Sequence, residues 1–449
     1  MKKFTFPLFI FLLFTFAGNI YSQEVLNLRD AINKALKNSP TVSNLEGSVE
    51  IQKLNTNTAV GNLFPDLNLS ANWNRNNTFS EGTVRFENGV PIIIPKQDTW
   101  INSFGIGVNS NITLFDGFSN YAQVDLQEEN EKSVKINLDK EKYDIAFRVN
   151  SAYFNVLKRE KIIIINEENL TDSRSQLESV KEFMNVGKRT IADVYRQDVQ
   201  VAQNELALER ALNEFDKSQI DLLLAMNSDF TESYKISDPN IVGELTESEL
   251  QSIMSKYTDL GTLTKRSLSN RYDYKSTLQQ IQVSKTQFSI DQKNLYFPTI
   301  IGGISYNLNA ANIGGLLDTR SFSFGLSLSY PIFQGNSIKN RSQISEIAIK
   351  QNEDNLRIIE KQIQGEVRKA YIDLETQYKQ IEILKRNITS AEQDKLLSEE
   401  SYRVGTGILL DVQTATIRLN NLRIDLINSY YDFLLSEKNL QYFLGELRY

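Results

Sequence analysis

The stretch "SYRVGTGILLDV" (residues 401–412) interrupts a long helical run with Gly405 and Gly407, residues that a helix interior disfavours by about 1 kcal/mol each relative to alanine. A second stretch, "FMNVGKRTIADV" (183–194), interrupts another such run, and Val186 and Val404 lie 218 residues apart. At that offset the flanking sequences superpose without a gap. "SFGIGVNSNITLFDG" (103–117) falls on "SFSFGLSLSYPIFQG" (321–335), "AYFNVL" (152–157) on "AYIDLE" (370–375), and Phe215 on Phe433. Upstream, "LFPDLNL" (63–69) matches "YFPTIIG" (296–302) at an offset of 233, so the first copy carries about 15 additional residues between its Phe-Pro and its Ser-Phe. The chain is therefore a duplicated unit. Each copy is expected to run helix, Phe-Pro, strand, loop, strand, Gly turn, very long helix, Val-Gly break, helix.

The strands alternate. Phe104, Ile106, Val108, Ile112 and Leu114 share one face, opposite Gly107, Asn109, Asn111 and Thr113. In the second copy Phe322, Phe324, Leu326, Leu328, Tyr330 and Ile332 oppose Ser323, Gly325, Ser327 and Ser329. Each run is about ten residues, the length of a membrane-crossing strand, with a small hydrophilic face suited to a water-filled lumen. Trp73, Trp100, Phe104, Tyr306, Phe322 and Tyr330 are candidates for aromatic girdles at the membrane interfaces. A soluble two-sided sheet shows the same alternation. If the strands do sit in a membrane, four per chain cannot close a barrel, because roughly eight are needed and lipid tolerates no open edge. Three chains would supply twelve.

The helices keep a period of seven. Val149, Val156, Ile163, Leu170, Leu177 and Met184 mark one seam, and Val367, Leu374, Ile381 and Ile388 continue it before it fades at Lys395 and Tyr402. Val194, Val201, Leu208, Phe215 and Leu222 follow the first break, and Val412, Leu419, Leu426, Phe433 and Leu440 the second. A strict heptad imposes coiled-coil packing. The breaks are hairpin tips: Gly187 and Gly405 supply left-handed turns, and Thr190 or Asp193 can cap the next helix. In the second copy Ile408 cannot cap, which leaves Asp411.

Composition excludes much chemistry. The 449 residues include no Cys and no His, which removes thiol catalysis, disulfides, His-based triads and the usual zinc sets. No metal or cofactor site is expected. The net charge is −7 with both signs mixed along the chain, so no basic stripe points to nucleic acid. The N-terminus, "MKKFTFPLFIFLLFTFAGNIYSQE", has a basic start and a short apolar run that ends in small and polar residues. It is a secretory signal peptide, expected to be cut near Ser22 or Gln23. No later run approaches a transmembrane helix.

The signal peptide, the two copies of strand, strand and long helix, and the two "VGxxxxxDV" tips together resemble the TolC-type outer-membrane efflux channels over nearly the whole mature chain. The resemblance implies a mainly α fold with a membrane β-barrel: a homotrimer in which four strands per chain build a twelve-stranded barrel in outer-membrane lipid. Long coiled-coil helices form an α-barrel extending into the periplasm. It implies an inner-membrane transporter joined through a periplasmic adaptor protein docked on the tips, at Val186, Gly187, Val404, Gly405 and Thr406. Asp411 would join an acidic ring at the aperture, and Tyr402 and Asp193 would belong to the gate. Three positions depart from the family pattern: Thr414 replaces a second Asp, Gly407 replaces a gate Arg, and Ala192 a hydroxyl residue.

The expected boundaries are a signal peptide at 1–22, a first repeat at 23–227, an equatorial linker at 228–270 and a second repeat at 271–449. Strands are expected at about 66–73, 103–114, 299–307 and 321–332, with tips at 185–193 and 403–411. The expected function is a passive conduit, not an enzyme, serving a tripartite efflux pump or type I secretion system for toxic small molecules or exported polypeptides. The alternatives are a surface coiled-coil adhesin or structural envelope protein, and a carboxylate-based hydrolase.

Overall fold

The fold is described by a computed structural model for residues 24–232, 234–237 and 245–448; the expected signal peptide and part of the linker lie outside these. A short β1 (Glu24–Leu26) leads into α1 (Leu28–Asn38) and α2 (Pro40–Gly61). Asn27 caps α1 by accepting from the Asp30 N–H at 2.8 Å, and Ser39 caps α2 just ahead of its N-terminal proline. Then come β2 (Asn68–Ser80), β3 (Thr83–Glu87), β4 (Val90–Ile94), β5 (Gln97–Phe115), α3 (Ser119–Asn185) and α4 (Ile191–Met226). β6 (Tyr234–Ile236), which pairs with β1, α5 (Glu247–Ser255) and α6 (Leu260–Asn270) connect the repeats. The second repeat comprises α7 (Tyr272–Tyr296), β7 (Thr299–Ala310), β8 (Arg320–Ser329), α8 (Ser337–Val404) and α9 (Leu409–Phe443).

One antiparallel sheet runs in the order β2, β5, β7, β8. Its strands differ in length from the sequence expectation. β2 and β5 extend past Asn74 and Ser103 as a two-stranded ribbon. β8 stops at Ser329 rather than 332, because Pro331 cannot donate to the ladder. The additional residues of the first copy extend this ribbon and add a separate hairpin, β3–β4, turned at Asn88-Gly89. Both turn residues have positive φ, 50° and 80°, as a two-residue hairpin turn demands.

α3 and α8, at 67 and 68 residues, are each roughly 100 Å long at 1.5 Å per residue. The heptad residues Val149, Val156, Leu170 and Leu177 of α3 and Val367, Leu374 and Ile381 of α8 are buried, as are Val412, Leu419, Phe433 and Leu440 of α9. The seam does not fade at Tyr402, which is only 2% exposed and packs with Val180, Leu409 and Val412. An aromatic ring fills a heptad position as well as an aliphatic chain does when a partner surface accepts it. Lys395 is half-buried and reaches Asp172 at 3.8 Å and Glu399 at 3.6 Å.

The connecting segment wraps the helices at mid-length. Leu250, Tyr257 and Leu263 join the core of α8 and α9, while Tyr234 and Ile236 close the core around α1 and α3. The start of α7 is pinned by Arg271, whose largely covered guanidinium bonds Asp273 and meets Glu366 at 2.6 Å. Among the described residues no helix is long and apolar enough to cross a membrane.

Every layer of the chain has two open sides. The sheet ends at β2 and β8. Toward the tips the closest neighbours run α4, α3, α9, α8, and beside the sheet α2, α3, α7, α8. The outer helices carry uncovered apolar rows at multiples of seven: Val199, Leu206 and Ile220 on α4, and Ile344, Ile358 and Ile372 on α8.

Candidate functional site: a two-faced sheet and paired helical tips

The register sorts the sheet into two faces. One row runs Leu69, Val108, Tyr306, Phe322 across all four strands, and the same face holds Ala71, Ile106, Ile304, Phe324, Leu326 and Leu328. The opposite face holds the row Ser70, Gly107, Asn307, Ser321, then Asn72, Gly105 and Asn309. Gly105 and Gly107 are required there: a Cβ would fall 2.4 Å from the side-chain oxygens of Asn72 and Asn307. Large apolar residues out and a dense amide and hydroxyl lining in is the pattern of a strand group between lipid and a watery lumen.

The aromatic candidates lie on the apolar side of the sheet. Trp73 stacks on Phe104 at 6.2 Å, and Tyr306 pairs with Phe322. Trp100 sits farther along the same face over Arg75, at 4.9 Å. Beyond Trp73 this face becomes mostly polar, with Arg75, Asn77, Asn102 and Asp98 around Trp100 and Phe79, so the continuous apolar band ends at the Trp73–Phe104 pair. Tyr330 lies just past the other end of β8 and is half exposed. At that end the sequence reading missed a cluster: Phe115 meets Phe118 at 5.9 Å and Phe297 at 6.1 Å, across both repeats. The paired Phe-Pro and Phe-x-Gly motifs were its signal. Gly117, with φ 68°, lies beneath the Phe297 ring, where a Cβ would approach to 2.5 Å.

At the far end, α3 and α8 both stop in left-handed turns. Gly187 has φ 75° and Gly405 φ 89°. The Lys188 N–H donates to the Phe183 carbonyl at 2.8 Å, and the N–H groups of Thr406 and Gly407 both donate to the Ser401 carbonyl, at 3.0 and 2.9 Å. A Cβ on Gly407 would come within 3.1 Å of the Ser401 and Tyr402 backbone. Any side chain at this position, an arginine included, would press on the turn backbone and require it to give by a few tenths of an ångström.

The two tips then diverge. In the first, Thr190 precedes α4, and the Asp193 carboxylate accepts from its N–H at 3.2 Å and its hydroxyl at 3.0 Å. Asp193 also meets Arg196 at 3.3 Å, so it serves its own helix and is not hydrogen-bonded to Tyr402. In the second, Ile408 occupies the capping position and Asp411 lies three residues on, inside α9. The expectation that Asp411 caps α9 is therefore corrected. A cap acts from the residue before the first turn, and among the described residues the exposed Asp411 carboxylate accepts no hydrogen bond and meets no cation.

A contact that sequence reasoning missed joins the tips. Tyr402 packs edge-on against Phe183 at 6.4 Å, while the Arg189 guanidinium lies 3.8 Å from its ring centroid and donates to its backbone carbonyl. The cation that the second tip lacks at Gly407 is supplied from the first tip. The Tyr402 hydroxyl is buried with no hydrogen-bond partner among the described residues, and burial pushes its pKa above the ordinary tyrosine value. Val186 and Val404 are 68% and 67% exposed at the extremities. Ile191, Tyr195, Ile408 and Leu410 are exposed beside them, so each tip presents an apolar surface larger than its Val-Gly pair. Thr406 stands between, its hydroxyl 3.2 Å from the Ser401 carbonyl.

Comparison with known proteins gives the same architecture. A family model described as "Outer membrane efflux protein" matches residues 31–228 and 263–446, two segments that span most of the two repeats. The chain is 24% identical to "Outer membrane protein TolC" of Vibrio cholerae over 471 residues, covering 100% of this chain and 96% of that one. The solved outer membrane protein VceC of Vibrio cholerae superposes with a TM-score of 0.75 at 18% identity, over 93% of this chain and 96% of that chain. The Neisseria gonorrhoeae MtrE outer membrane channel, solved in its open state, gives 0.73 at 16% identity over 94% and 89%.

Proposed function

The chain belongs to the outer membrane efflux protein family, and from that premise we propose that three copies close into one continuous duct through the outer membrane and periplasm. The observation that carries this is the pair of open sides at every level. The four-stranded sheet is unpaired at β2 and β8, and α4 and α8 expose apolar rows along the same two flanks. Unpaired strand edges in lipid cost several kcal/mol per orphaned group, and one chain cannot bend four strands closed. Joining β8 of one copy to β2 of the next satisfies both edges, and the same step packs α8 of the first against α2 beside the sheet and α4 toward the tips of the second. Three copies give the twelve strands of a water-filled barrel. Native mass spectrometry of the detergent-extracted protein is expected to show a trimer; a folded, membrane-inserted monomer would overturn the assembly.

In this reading the protein is an outer-membrane conduit that performs no chemical step, and a separate transporter supplies the energy. The tips are the docking end: the exposed Val186 and Val404, with Gly187, Gly405 and Thr406 shaping the turns, receive a periplasmic adaptor that couples to an inner-membrane transporter. The cargo class is toxic small molecules or exported polypeptides. Arg189 on Tyr402 holds the two tips of a chain together and so keeps the aperture narrow. The repeats at 23–227 and 271–449 are the two staves each chain contributes, and 228–270 is the belt that clasps them.

Asp411 is the candidate for the aperture's charge. Three unsatisfied carboxylates around one axis attract cations and form a selectivity ring. Asp411→Asn is expected to leave the fold intact, with at most a few tenths of a kcal/mol lost from the interaction with the helix dipole. Cation preference and block by multivalent cations from the periplasmic side should fall, and Thr414 in place of a second acid makes that block modest even in the parent. The check is the reversal potential in planar bilayers under asymmetric salt; an unchanged value would remove Asp411 from the aperture.

A further inference from the structure

Seven pairs of the β2–β5 ribbon, from Asn74↔Ser103 to Ser80↔Gln97, continue past the end of β7 at Ala310. Polar residues dominate the ribbon, with Asn74, Arg75, Asn76, Asn77, Thr78, Asp98 and Thr99 along it; its apolar members are the scattered Phe79, Trp100 and Ile101, of which Phe79 and Trp100 each stack against a cation, Lys96 and Arg75. The hairpin that it carries is apolar. Val84, Phe86, Val90, Ile92, Ile93 and Ile94 are all exposed, Phe86 at 70% and Ile93 at 76%. Val84 pairs with Ile93 and Phe86 with Pro91 on one face, and Ile92 and Ile94 lie on the other. Such a patch in water calls for a partner.

We propose that the three β3–β4 hairpins of the assembly pack together by these apolar faces as a cap across the outer mouth of the duct. The proposal rests on the three-chain closure argued above. The occupant is the same hairpin of the other two copies because the ribbon grows directly out of β2, the edge strand where copies meet. Closure therefore brings three identical patches around one axis at high effective concentration. Their reach suffices. Twelve tilted strands enclose a barrel of about 12 Å radius, and the ribbon and hairpin extend about 23 and 17 Å. Lipid is a poor occupant, since the continuous apolar band ends at Trp73 and Phe104, and beyond it the same face carries Arg75, Asn77, Asp98 and Asn102 around the cation-stacked Trp100 and Phe79, which separates the hairpin from the band. Strand addition at the outer edge of the hairpin is discouraged by Pro91 and Pro95 on β4 and just after it, which leaves packing by faces. The hairpin also folds back tightly at its base: a Cβ on Gly82 would fall 2.7 Å from the Ile94 carbonyl oxygen.

The natural absence of cysteine makes the test clean. Ile93→Cys, in the full chain in outer membranes, should form chain-to-chain disulfides on oxidation or link through a short bis-maleimide. Asp98→Cys, on the ribbon face that continues the lipid-facing side, should not. In parallel, Phe86→Ser with Ile93→Ser should raise single-channel conductance about twofold or more and admit a bulky fluorophore from outside. Native mass spectrometry of the same samples separates the two ideas. An intact trimer without Ile93→Cys links overturns the cap and leaves the channel standing. Ile93→Cys links to a foreign protein also overturn it, in favour of an external partner. Loss of the parent trimer overturns the assembly and the cap together.

Discussion

Arg189→Ala should open the periplasmic end of the channel. Among the described residues Arg189 is the one cation on the Tyr402 ring, 3.8 Å from its centroid, and it also donates to the Tyr402 carbonyl. A cation–π contact contributes about 0.5–2 kcal/mol and a charge-assisted hydrogen bond about 1.5–3. Arg189 is only partly buried, so solvent discounts both, to about 1–2 kcal/mol per chain. Three chains opening together lose about 3–6 kcal/mol, close to the roughly 5.5 needed to turn a 1:99 equilibrium into 99:1. The expected readout is a several-fold rise in conductance in planar bilayers, with the trimer unchanged on native mass spectrometry. Tyr402→Phe discriminates the mechanism. The hydroxyl has no hydrogen-bond partner among the described residues, so removing it should change little, whereas Tyr402→Ala should open the channel as far as Arg189→Ala does. If Tyr402→Phe opens it equally, the hydroxyl is bonded across a chain boundary instead. Unchanged conductance in Arg189→Ala would show that the contact is local packing and not a latch.

The duplication was legible because it is written twice: one offset carries strands, long helix, tip and return helix together, and no local propensity is needed to see it. Heptads were legible while the seam was aliphatic. The reading failed at Tyr402, where the seam residue is aromatic and its covering comes from Phe183 and Arg189, more than 200 residues away in sequence. Nothing local could place Arg189 on that ring, since two residues after Gly187 an arginine on a tip loop reads as solvated. Asp411 failed for the opposite reason. Its position suggested a cap, yet the helix begins at Leu409 and the residue before it is Ile408, a boundary set by how far the Gly405 and Gly407 turn unwinds. The β3–β4 hairpin did have a signal in "VRFENGVPIII" (84–94), an Asn-Gly between apolar runs. The comparison with the second copy, which has no counterpart, recorded only that residues had been added. The lipid and lumen faces came through the alternation because a period of two survives without knowledge of any partner strand.

Charging the two tip valines should abolish transport while sparing the channel. Val186 and Val404 are exposed apolar residues at the ends of α3 and α8, joined by Ile191, Tyr195, Ile408 and Leu410. Among the described residues nothing covers them, so if an adaptor does, each valine contributes about 1.5 kcal/mol or more on burial. Val186→Asp with Val404→Asp replaces that gain by the cost of desolvating a carboxylate. Six sites in a trimer change at once, and a hundredfold loss of adaptor affinity, about 2.7 kcal/mol, is a lower bound. Cells relying on this channel should fall to the drug sensitivity of a deletion strain, while conductance of the purified variant and its trimer mass stay at parent values. The turn glycines need a different substitution. A Cβ at Gly187 or Gly405 meets no atom within 4 Å, yet both have φ above 70°, so most side chains strain the backbone by about 1–2 kcal/mol whether or not anything docks there. Asparagine tolerates that conformation, so Gly187→Asn and Gly405→Asn keep the turn and alter only the surface. Transport lost in the aspartate pair and largely kept in the asparagine pair would place the contact on the valine faces. Transport retained in the aspartate pair would mean that the tips are not where the adaptor binds.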